Sequence, residues 1–96
     1  MVITAQAGAQ ITAAKAWWRS HRLAARDLFE AEVDAVVDRL ETEPNIGAVV
    51  SAGRRPVRCM VMQRTGFRAF YRVDEKARLI RLLSVWSARR GQQPRF

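Results

Sequence analysis

The chain has 96 residues, 49% of them hydrophobic, and a formal net charge of +8. This length fits one compact domain with a single modest core and is too short for two. No apolar run approaches the ~18 residues that cross a bilayer, and the first ten residues lack the basic start and apolar core of a signal peptide, so a cytoplasmic location without a membrane partner is expected.

A short strand over residues 2–4 and a helix over residues 7–20 are predicted for the start of the chain. The strand is indicated by its β-branched residues, which favour a sheet. The helix is indicated by Ile11, Ala14 and Trp18, which recur at the spacing of one helix face among several alanines. The polar connection that follows is short, which predicts an antiparallel hairpin with the next helix.

A second helix is predicted over residues 24–43 and has the strongest periodic pattern of the chain. Its apolar residues, among them Phe29, Val33 and Leu40, share one face, and most of its acidic residues lie on the others. Pro44 ends it. The apolar faces of the two helices are expected to pack against a sheet.

The hydrophobic period changes to two in residues 48–87, which predicts three or four antiparallel strands. Thr65 and Gly66 are typical of a tight turn between two of them. Arg68 and Arg72 are expected to share one sheet face. No period is visible in residues 88–96, which are predicted to form an irregular tail.

These elements predict an α+β fold with a single domain over residues 1–96. An N-terminal strand and an antiparallel helical hairpin would pack on one face of a three- to four-stranded antiparallel sheet. Arg81 is unusual because it is charged within an otherwise apolar strand. It is expected either to reach water or to pair with a carboxylate, for which Glu32 and Asp38 are the candidates.

The positive charge is concentrated in the second half of the chain. Residues 1–53 carry five Lys or Arg and seven Asp or Glu, a net charge of −2. Residues 54–96 carry twelve Lys or Arg and two Asp or Glu, a net charge of +10. This asymmetry implies an acidic partner, which can be a nucleic acid, an acidic protein segment or a membrane surface.

The sequence has one cysteine, Cys59, and one histidine, His21. An internal disulfide is therefore impossible, and a metal site of clustered Cys and His ligands is excluded. Cys59 is predicted to be a packing residue, because no histidine is expected beside it to generate a thiolate. Acidic pairs such as Glu30 and Asp34 predict a solvated helix face, so neither a metal nor a cofactor is expected.

Several segments occur in a distinctive order along the chain: VITAQA at the start, WW late in the first helix, VRCMVMQRTGFRAFYRV in the sheet and LLSVWSARRGQQP near the end. This combination resembles the ParE branch of the ParE/RelE toxin superfamily over nearly the whole chain. The resemblance implies the toxin of a type II toxin–antitoxin pair, of the kind linked to plasmid stabilisation. It also implies a hetero-oligomer with a cognate acidic, ParD-like antitoxin, whose DNA-binding N-terminal part alone would contact operator DNA.

Members of this superfamily use two mechanisms. RelE-like toxins cut messenger RNA on the ribosome, whereas ParE-like toxins poison DNA gyrase and have no known hydrolytic chemistry. RNA cleavage needs groups that accept and donate protons, besides cations for the phosphate. This chain has Gln63 where a RelE-like arginine would stand and Ser87 where a histidine is often found. The resemblance therefore favours a gyrase inhibitor without catalytic residues over an enzyme.

The candidate binding residues are chosen from the cations and aromatic residues of the chain. The target-binding candidates are Trp86, Arg89 and Arg90. The antitoxin-binding candidates are Trp17, Trp18, Arg54, Arg55, Arg68 and Arg72. The alternative for the tryptophans is core packing, and for the sheet arginines it is a solvated face.

Two other functions stay open at the level of the sequence. The first is a RelE-like, ribosome-dependent mRNA endonuclease that holds the phosphate with Arg64, Arg68 and Arg72. The second is a non-toxic basic domain that binds nucleic acid, with an affinity that falls steeply with salt.

Overall fold

The computed structural model describes residues 1–90, and Arg90 by its backbone alone. Five strands and two helices form the fold of these described residues, with one 3₁₀ turn between the helices and another at Ala88–Arg90. In chain order they are β1 (Val2–Ile3), α1 (Ala5–His21), the first 3₁₀ turn (Leu23–Ala25), α2 (Leu28–Thr42), β2 (Ala48–Ser51), β3 (Val57–Met62), β4 (Phe67–Asp74), β5 (Leu79–Ser87) and the second 3₁₀ turn (Ala88–Arg90). No helix in this part of the chain is both long and apolar enough to cross a membrane.

The strands form one mixed sheet in the order β1-β5-β4-β3-β2. The pairs from β2 to β5 are antiparallel, and β1 is parallel to β5. The prediction of an α+β fold with a helical hairpin on a sheet is confirmed. The prediction of a three- to four-stranded antiparallel sheet is wrong, because β1 joins as a fifth, parallel strand; a strand of two residues carries no pattern that reveals its partner.

Thr4 links β1 to both the sheet and the first helix. Its N–H and its Oγ1 donate to the carbonyl oxygen of Leu82 at 3.1 and 2.9 Å, and its Oγ1 accepts a hydrogen bond from the N–H of Ala7 at 3.2 Å. A threonine that accepts from the first turn in this way is a favourable N-cap. This cap places the start of α1 at Ala5, two residues before the predicted start.

The two helices form the predicted antiparallel hairpin. Two ion pairs join them, Lys15 with Glu30 at 3.1 Å and Arg19 with Asp27 at 2.8 Å. The residue that comes later in the first helical segment pairs with the one that comes earlier in the second, as expected for antiparallel helices. Trp18 closes the hairpin by donating its Nε1–H to the carbonyl oxygen of Ala25 at 2.7 Å. Because the first 3₁₀ turn occupies Leu23–Ala25, α2 begins four residues later than predicted.

The two faces of the sheet bury different sets of residues. The face under the helices forms the main core, which includes Phe29 and Leu40 of α2 and Ala69 and Tyr71 of β4. The outer face carries a smaller cluster built from Val57, Phe70 and Leu83, with Cys59 and Trp86 packed against it. The predicted alternation of residues along β4 is therefore confirmed.

Candidate functional site

One end of the sheet is held by a carboxylate from the helical layer. The turn between β3 and β4 spans residues 63–66, and Glu32 of α2 accepts hydrogen bonds from the backbone N–H groups of Arg64 and Thr65, both at 2.9 Å. Gly66 adopts a φ of +80°, which favours glycine. Glu32 is thus engaged with this turn. Of the two alternatives expected for Arg81, an ion pair with Glu32 or Asp38 is not found among the described side chains, and Arg81 is exposed to water.

The end of β5 lies against the same turn. The N–H of Ala88 donates to the carbonyl oxygen of Gly66 at 2.9 Å, and the N–H of Arg89 donates to Oγ of Ser87 at 3.3 Å. The side chain of Arg89 is exposed. Of the predicted tail, residues 88–90 form a 3₁₀ turn, while the side chain of Arg90 and residues 91–96 lie outside the described residues.

An open groove of about 470 Å³ lies between α1 and this end of the sheet. Its walls contain two tryptophans that are 69 positions apart in the sequence, Trp17 and Trp86. Gln10 of α1 fixes the floor, because its Oε1 accepts hydrogen bonds from Oγ of Ser84 at 2.9 Å and from the N–H of Val85 at 2.8 Å. We name this groove the aromatic groove; its lining residues are Ala9, Gln10, Ala13, Ala14, Trp17, Phe67, Val85, Trp86 and Ser87.

The two adjacent tryptophans of α1 have different environments. Trp18 is 7% exposed and belongs to the main core, so it does not present a binding surface. Trp17 is 43% exposed and stacks on His21 with 4.5 Å between ring centroids and 7° between ring planes. The guanidinium of Arg22 lies 5.2 Å from the Trp17 ring centroid, within the range of a cation–π contact. Trp17 is therefore the tryptophan of this pair that a partner can reach.

A second groove, of about 600 Å³, lies at the opposite end of the sheet. Six cationic and two acidic residues line it, along with Asn45, Pro56 and Val73. We name it the basic groove; its charged residues are Arg54, Arg55, Arg58, Arg72, Asp74, Glu75, Lys76 and Arg81.

Strand register brings two arginines of the basic groove together. Arg72 of β4 and Arg81 of β5 are direct cross-strand partners. Arg72 also donates its Nε–H to the carbonyl oxygen of Arg55 at 3.2 Å. Nη1 of Arg58 donates to the carbonyl oxygens of Asn45 at 3.0 Å and Gly47 at 2.7 Å. The groove therefore combines two arginines held by backbone carbonyls with others, among them Arg54 and Arg81, whose side chains are exposed.

The structure assembles some of the predicted binding residues and separates others. Arg54, Arg55 and Arg72 all line the basic groove, while Arg68 lies opposite Trp86 near the other end of the sheet. Sequence reasoning missed Arg58 and Lys76 as members of the basic groove. It noted Arg81 only as an unusual charge and did not connect it with Arg54, Arg55 and Arg72, whose own charges had already marked them as candidate binding residues.

The three arginines of the nuclease hypothesis do not converge. Arg64 is on the β3–β4 turn, and Arg68 and Arg72 are four residues apart on one strand, a distance of ~13 Å. Arg68 lies near the aromatic groove and Arg72 in the basic groove. A single phosphate cannot be held by all three side chains in this arrangement.

Two groups with acid–base potential in the sheet are shielded by burial. Tyr71 is fully buried, and its hydroxyl accepts a hydrogen bond from the N–H of Gly47 at 2.8 Å. Burial raises the pKa of Tyr71, although the Gly47 N–H and the charge of Arg58 partly oppose this effect. Burial likewise raises the pKa of the Cys59 thiol, against a smaller opposing effect of Arg68. Cys59 therefore remains a thiol at neutral pH, as expected for a packing residue.

The aromatic groove and the basic groove are surfaces suited to binding, and comparison with known proteins identifies the family. A family model described as the ParE toxin of the type II toxin–antitoxin system parDE matches residues 1–91. No curated protein and no solved structure matches the chain. Since the family model covers nearly the whole sequence, the chain belongs to the ParE family of type II toxin–antitoxin toxins.

Proposed function

We propose that this ParE-family toxin inhibits DNA gyrase in the cytoplasm and is neutralised by direct binding of a cognate acidic antitoxin. The observation that carries the proposal is the aromatic groove. Trp17, a candidate for antitoxin binding, and Trp86, a candidate for target binding, line the same groove. An antitoxin segment that fills it would cover the residues that contact gyrase.

The surface around the aromatic groove supports a protein-binding role. Aromatic residues and arginines are enriched at the centres of protein interfaces. Trp17 is exposed, and Arg89 is exposed on the 3₁₀ turn that follows Trp86 and Ser87. The dispersed positions of Arg64, Arg68 and Arg72 give less support to a nuclease. We therefore place inhibition by binding ahead of RNA cleavage.

Charge and apolar exposure support a partner that covers the toxin. The second half of the chain has a net charge of +10, which an acidic antitoxin would offset. Large apolar side chains are exposed on the edge strand β2 and the adjacent β3, including Val49 and Val61. A ParD-like antitoxin could cover them with a helix along the hairpin and an extended strand beside the sheet. Its DNA-binding N-terminal part would then carry the complex to operator DNA.

The test is a gyrase supercoiling and DNA-cleavage assay with toxin released from its co-expressed antitoxin. We expect cleaved plasmid to accumulate and the antitoxin to suppress it. Arg89→Ala should reduce cleavage, whereas Arg26→Ala, which removes an exposed arginine far from the groove, should not. Trp17→Ala should weaken antitoxin binding, with Leu23→Ala as the control for loss of an exposed apolar side chain in the same hairpin.

Two results would contradict the proposal. Unaffected gyrase, together with growth arrest in cells that express the toxin, would exclude gyrase as the target. Cleaved transcripts in a translating extract, with cleavage lost in Arg68→Ala, would identify a ribosome-dependent nuclease instead.

A further inference from the structure

The basic groove lies far from the aromatic groove, although it contains Arg54, Arg55 and Arg72 of the antitoxin-binding candidates. Phe67 pairs with Ser87 at the aromatic groove, and Asp74 pairs with Leu79 at the other end of the same two strands. At the rise of a β-strand, the two ends are roughly 20 Å apart. A ligand of the basic groove could therefore bind while the aromatic groove is occupied.

The charges of the basic groove are poorly compensated from within the chain. Among the described side chains, none of its six cations forms an ion pair. One of its two carboxylates, Asp74, accepts a hydrogen bond from the N–H of Ala77 at 3.1 Å and thereby serves the β4–β5 turn. Arg72 and Arg81 face each other across the strands, an arrangement that opposes folding. An external anion would relieve this repulsion.

We propose that the basic groove binds the sugar–phosphate backbone of duplex DNA without reading its bases. Guanidinium groups are well suited to phosphate, because their planar N–H donors can bind two oxygens at once. Arg58 and Arg72 are already oriented by their hydrogen bonds to backbone carbonyls, which lowers the entropy lost on binding. Arg54, Lys76 and Arg81 are exposed beside them and add charge.

The lining of the basic groove favours duplex DNA over two other polyanions. Among the described residues it includes no aromatic side chain, so this part of the chain offers no stacking platform of the kind used to hold single-stranded RNA. Within the described part of the chain its apolar members are Pro56 and Val73, too few to form the apolar pockets that anchor a bound peptide. Contact with a duplex backbone depends mainly on charge, which the groove supplies. This contact would be direct and independent of sequence, separate from operator recognition by an antitoxin.

The test measures binding of the full chain, freed of antitoxin, to a labelled mixed-sequence DNA duplex of about 20 base pairs by fluorescence anisotropy, between about 50 and 200 mM salt. The double variant Arg54→Gln/Arg81→Gln should weaken binding about tenfold and reduce the salt slope by about two. The double variant Arg22→Gln/Arg26→Gln removes the same charge from the helical hairpin and is the matched control. It should retain most of the affinity, and a duplex of different sequence should bind equally well.

Four results would overturn the proposal. They are an undetectable interaction with the wild-type protein, equal losses in the groove variant and the hairpin control, tighter binding of a single-stranded RNA of the same length, and displacement of the duplex by polyglutamate at equal charge concentration. The last two would point to stacking and to an acidic peptide, respectively. Circular dichroism melts of both variants verify that they are folded, and Arg81 can be replaced without loss of packing because it is exposed.

Discussion

The helical layer and the sheet use their charged residues in different ways. All ion pairs among the described side chains lie in the helical segment: Lys15 with Glu30, Arg19 with Asp27, and Arg39 with Glu43. The described cations of the sheet and its turns form none. Exposed ion pairs contribute little to stability, so the ion pairs of the helical layer stabilise the fold only slightly. The sheet, by contrast, presents its positive charge outward, where it is available to an acidic partner.

Two residues cross this division and have structural roles. Glu32 belongs to the helical layer but holds the β3–β4 turn of the sheet. Arg58 belongs to the sheet but holds the carbonyl oxygens of Asn45 and Gly47, in the loop that leads from α2 to β2. Substitutions at these contacts should affect stability more than removal of any other exposed charge.

The largest effect is expected for Gly47→Ala, at the loop that Arg58 holds. A Cβ atom at this position would lie 2.6 Å from the Tyr71 hydroxyl oxygen and 2.9 Å from the carbonyl oxygen of Cys59. The carbonyl oxygen belongs to the backbone of a strand and cannot readily move away from the added Cβ atom. We therefore expect a loss of at least about 2 kcal/mol in the free energy of unfolding. Urea denaturation measures this loss.

The control for that substitution is Gly8→Ala in α1. The nearest atom to the added Cβ is Cγ2 of Ile3 at 3.9 Å, an ordinary contact. Replacing a helical glycine with alanine should raise the free energy of unfolding by about 0.5–1 kcal/mol. Equal stability of the two variants would mean that the loop at Gly47 moves freely and that Arg58 does not fix it.

The next largest effect is expected for Glu32→Ala, which leaves two N–H groups of the β3–β4 turn without their carboxylate. Hydrogen bonds to a charged group are stronger than average, and we expect a loss of about 1–2 kcal/mol in the free energy of unfolding. The matched control, Glu41→Ala, removes an exposed carboxylate from the same helix and should change stability by less than about 0.5 kcal/mol. If the two variants unfold at the same urea concentration, the turn does not depend on Glu32.

A pH effect is expected from two groups on opposite faces of the sheet, Cys59 on the outer face and Tyr71 in the main core, whose pKa values are raised above 9.0 and 10.0 by burial. Between the unfolded and the raised folded pKa, the folded chain keeps a proton that the unfolded chain has released. The contribution of these two groups to the free energy of unfolding is therefore fully present below about pH 9. It falls as the pH rises, by up to about 1.4 kcal/mol per pH unit for each group.

Urea denaturation from about pH 8 to about pH 11 follows this decline. In Cys59→Ala, the onset should move upward to about pH 10, where Tyr71 alone remains. A constant stability of the wild-type protein over this range would contradict the raised pKa values.

The smallest effects compare one charge from each layer by thermal unfolding. Lys15→Gln breaks an ion pair of the helical layer and should cost less than about 1 kcal/mol. Arg81→Gln removes the repulsion with Arg72 and should instead stabilise the fold by about 0.5 kcal/mol. A lower melting temperature for Arg81→Gln would mean that Arg81 supports the fold, and the contrast between the two layers would not hold.

Local patterns in the sequence predicted most of the fold. The period of apolar residues predicted both helices, Pro44 marked the end of α2, and Gly66 marked the β3–β4 turn. The start of α2 was misplaced because helical periodicity does not distinguish a 3₁₀ turn at Leu23–Ala25 from the first turn of the helix. The parallel pairing of β1 could not be predicted, because it depends on a partner strand at the other end of the chain.

The sequence allowed individual binding residues to be predicted, but not which of them meet on one surface of the folded chain. Arg54, Arg55 and Arg72 were identified from charge, but their meeting with Arg81 depends on the register of β4 and β5. That register shifts at an irregularity between Phe70 and Tyr71, which has no sequence signal of its own. The aromatic groove likewise depends on the packing of α1 against β5, which brings Trp17 and Trp86 to the same groove. The spacing of apolar residues within each element does not predict this packing between elements.

The parallel pairing of β1 with β5 also constrains how the protein is made. Thr4 and Leu82, which share two hydrogen bonds, are 78 residues apart. The strand that lies between β1 and β4 is β5, which follows the other four described strands along the chain. Contacts over such a long separation form late, so the sheet is completed only after β5 has been synthesised. A growing chain that has not yet reached β5 leaves β1 and β4 without the strand that joins them, and the toxin acquires both grooves only once β5 has been added.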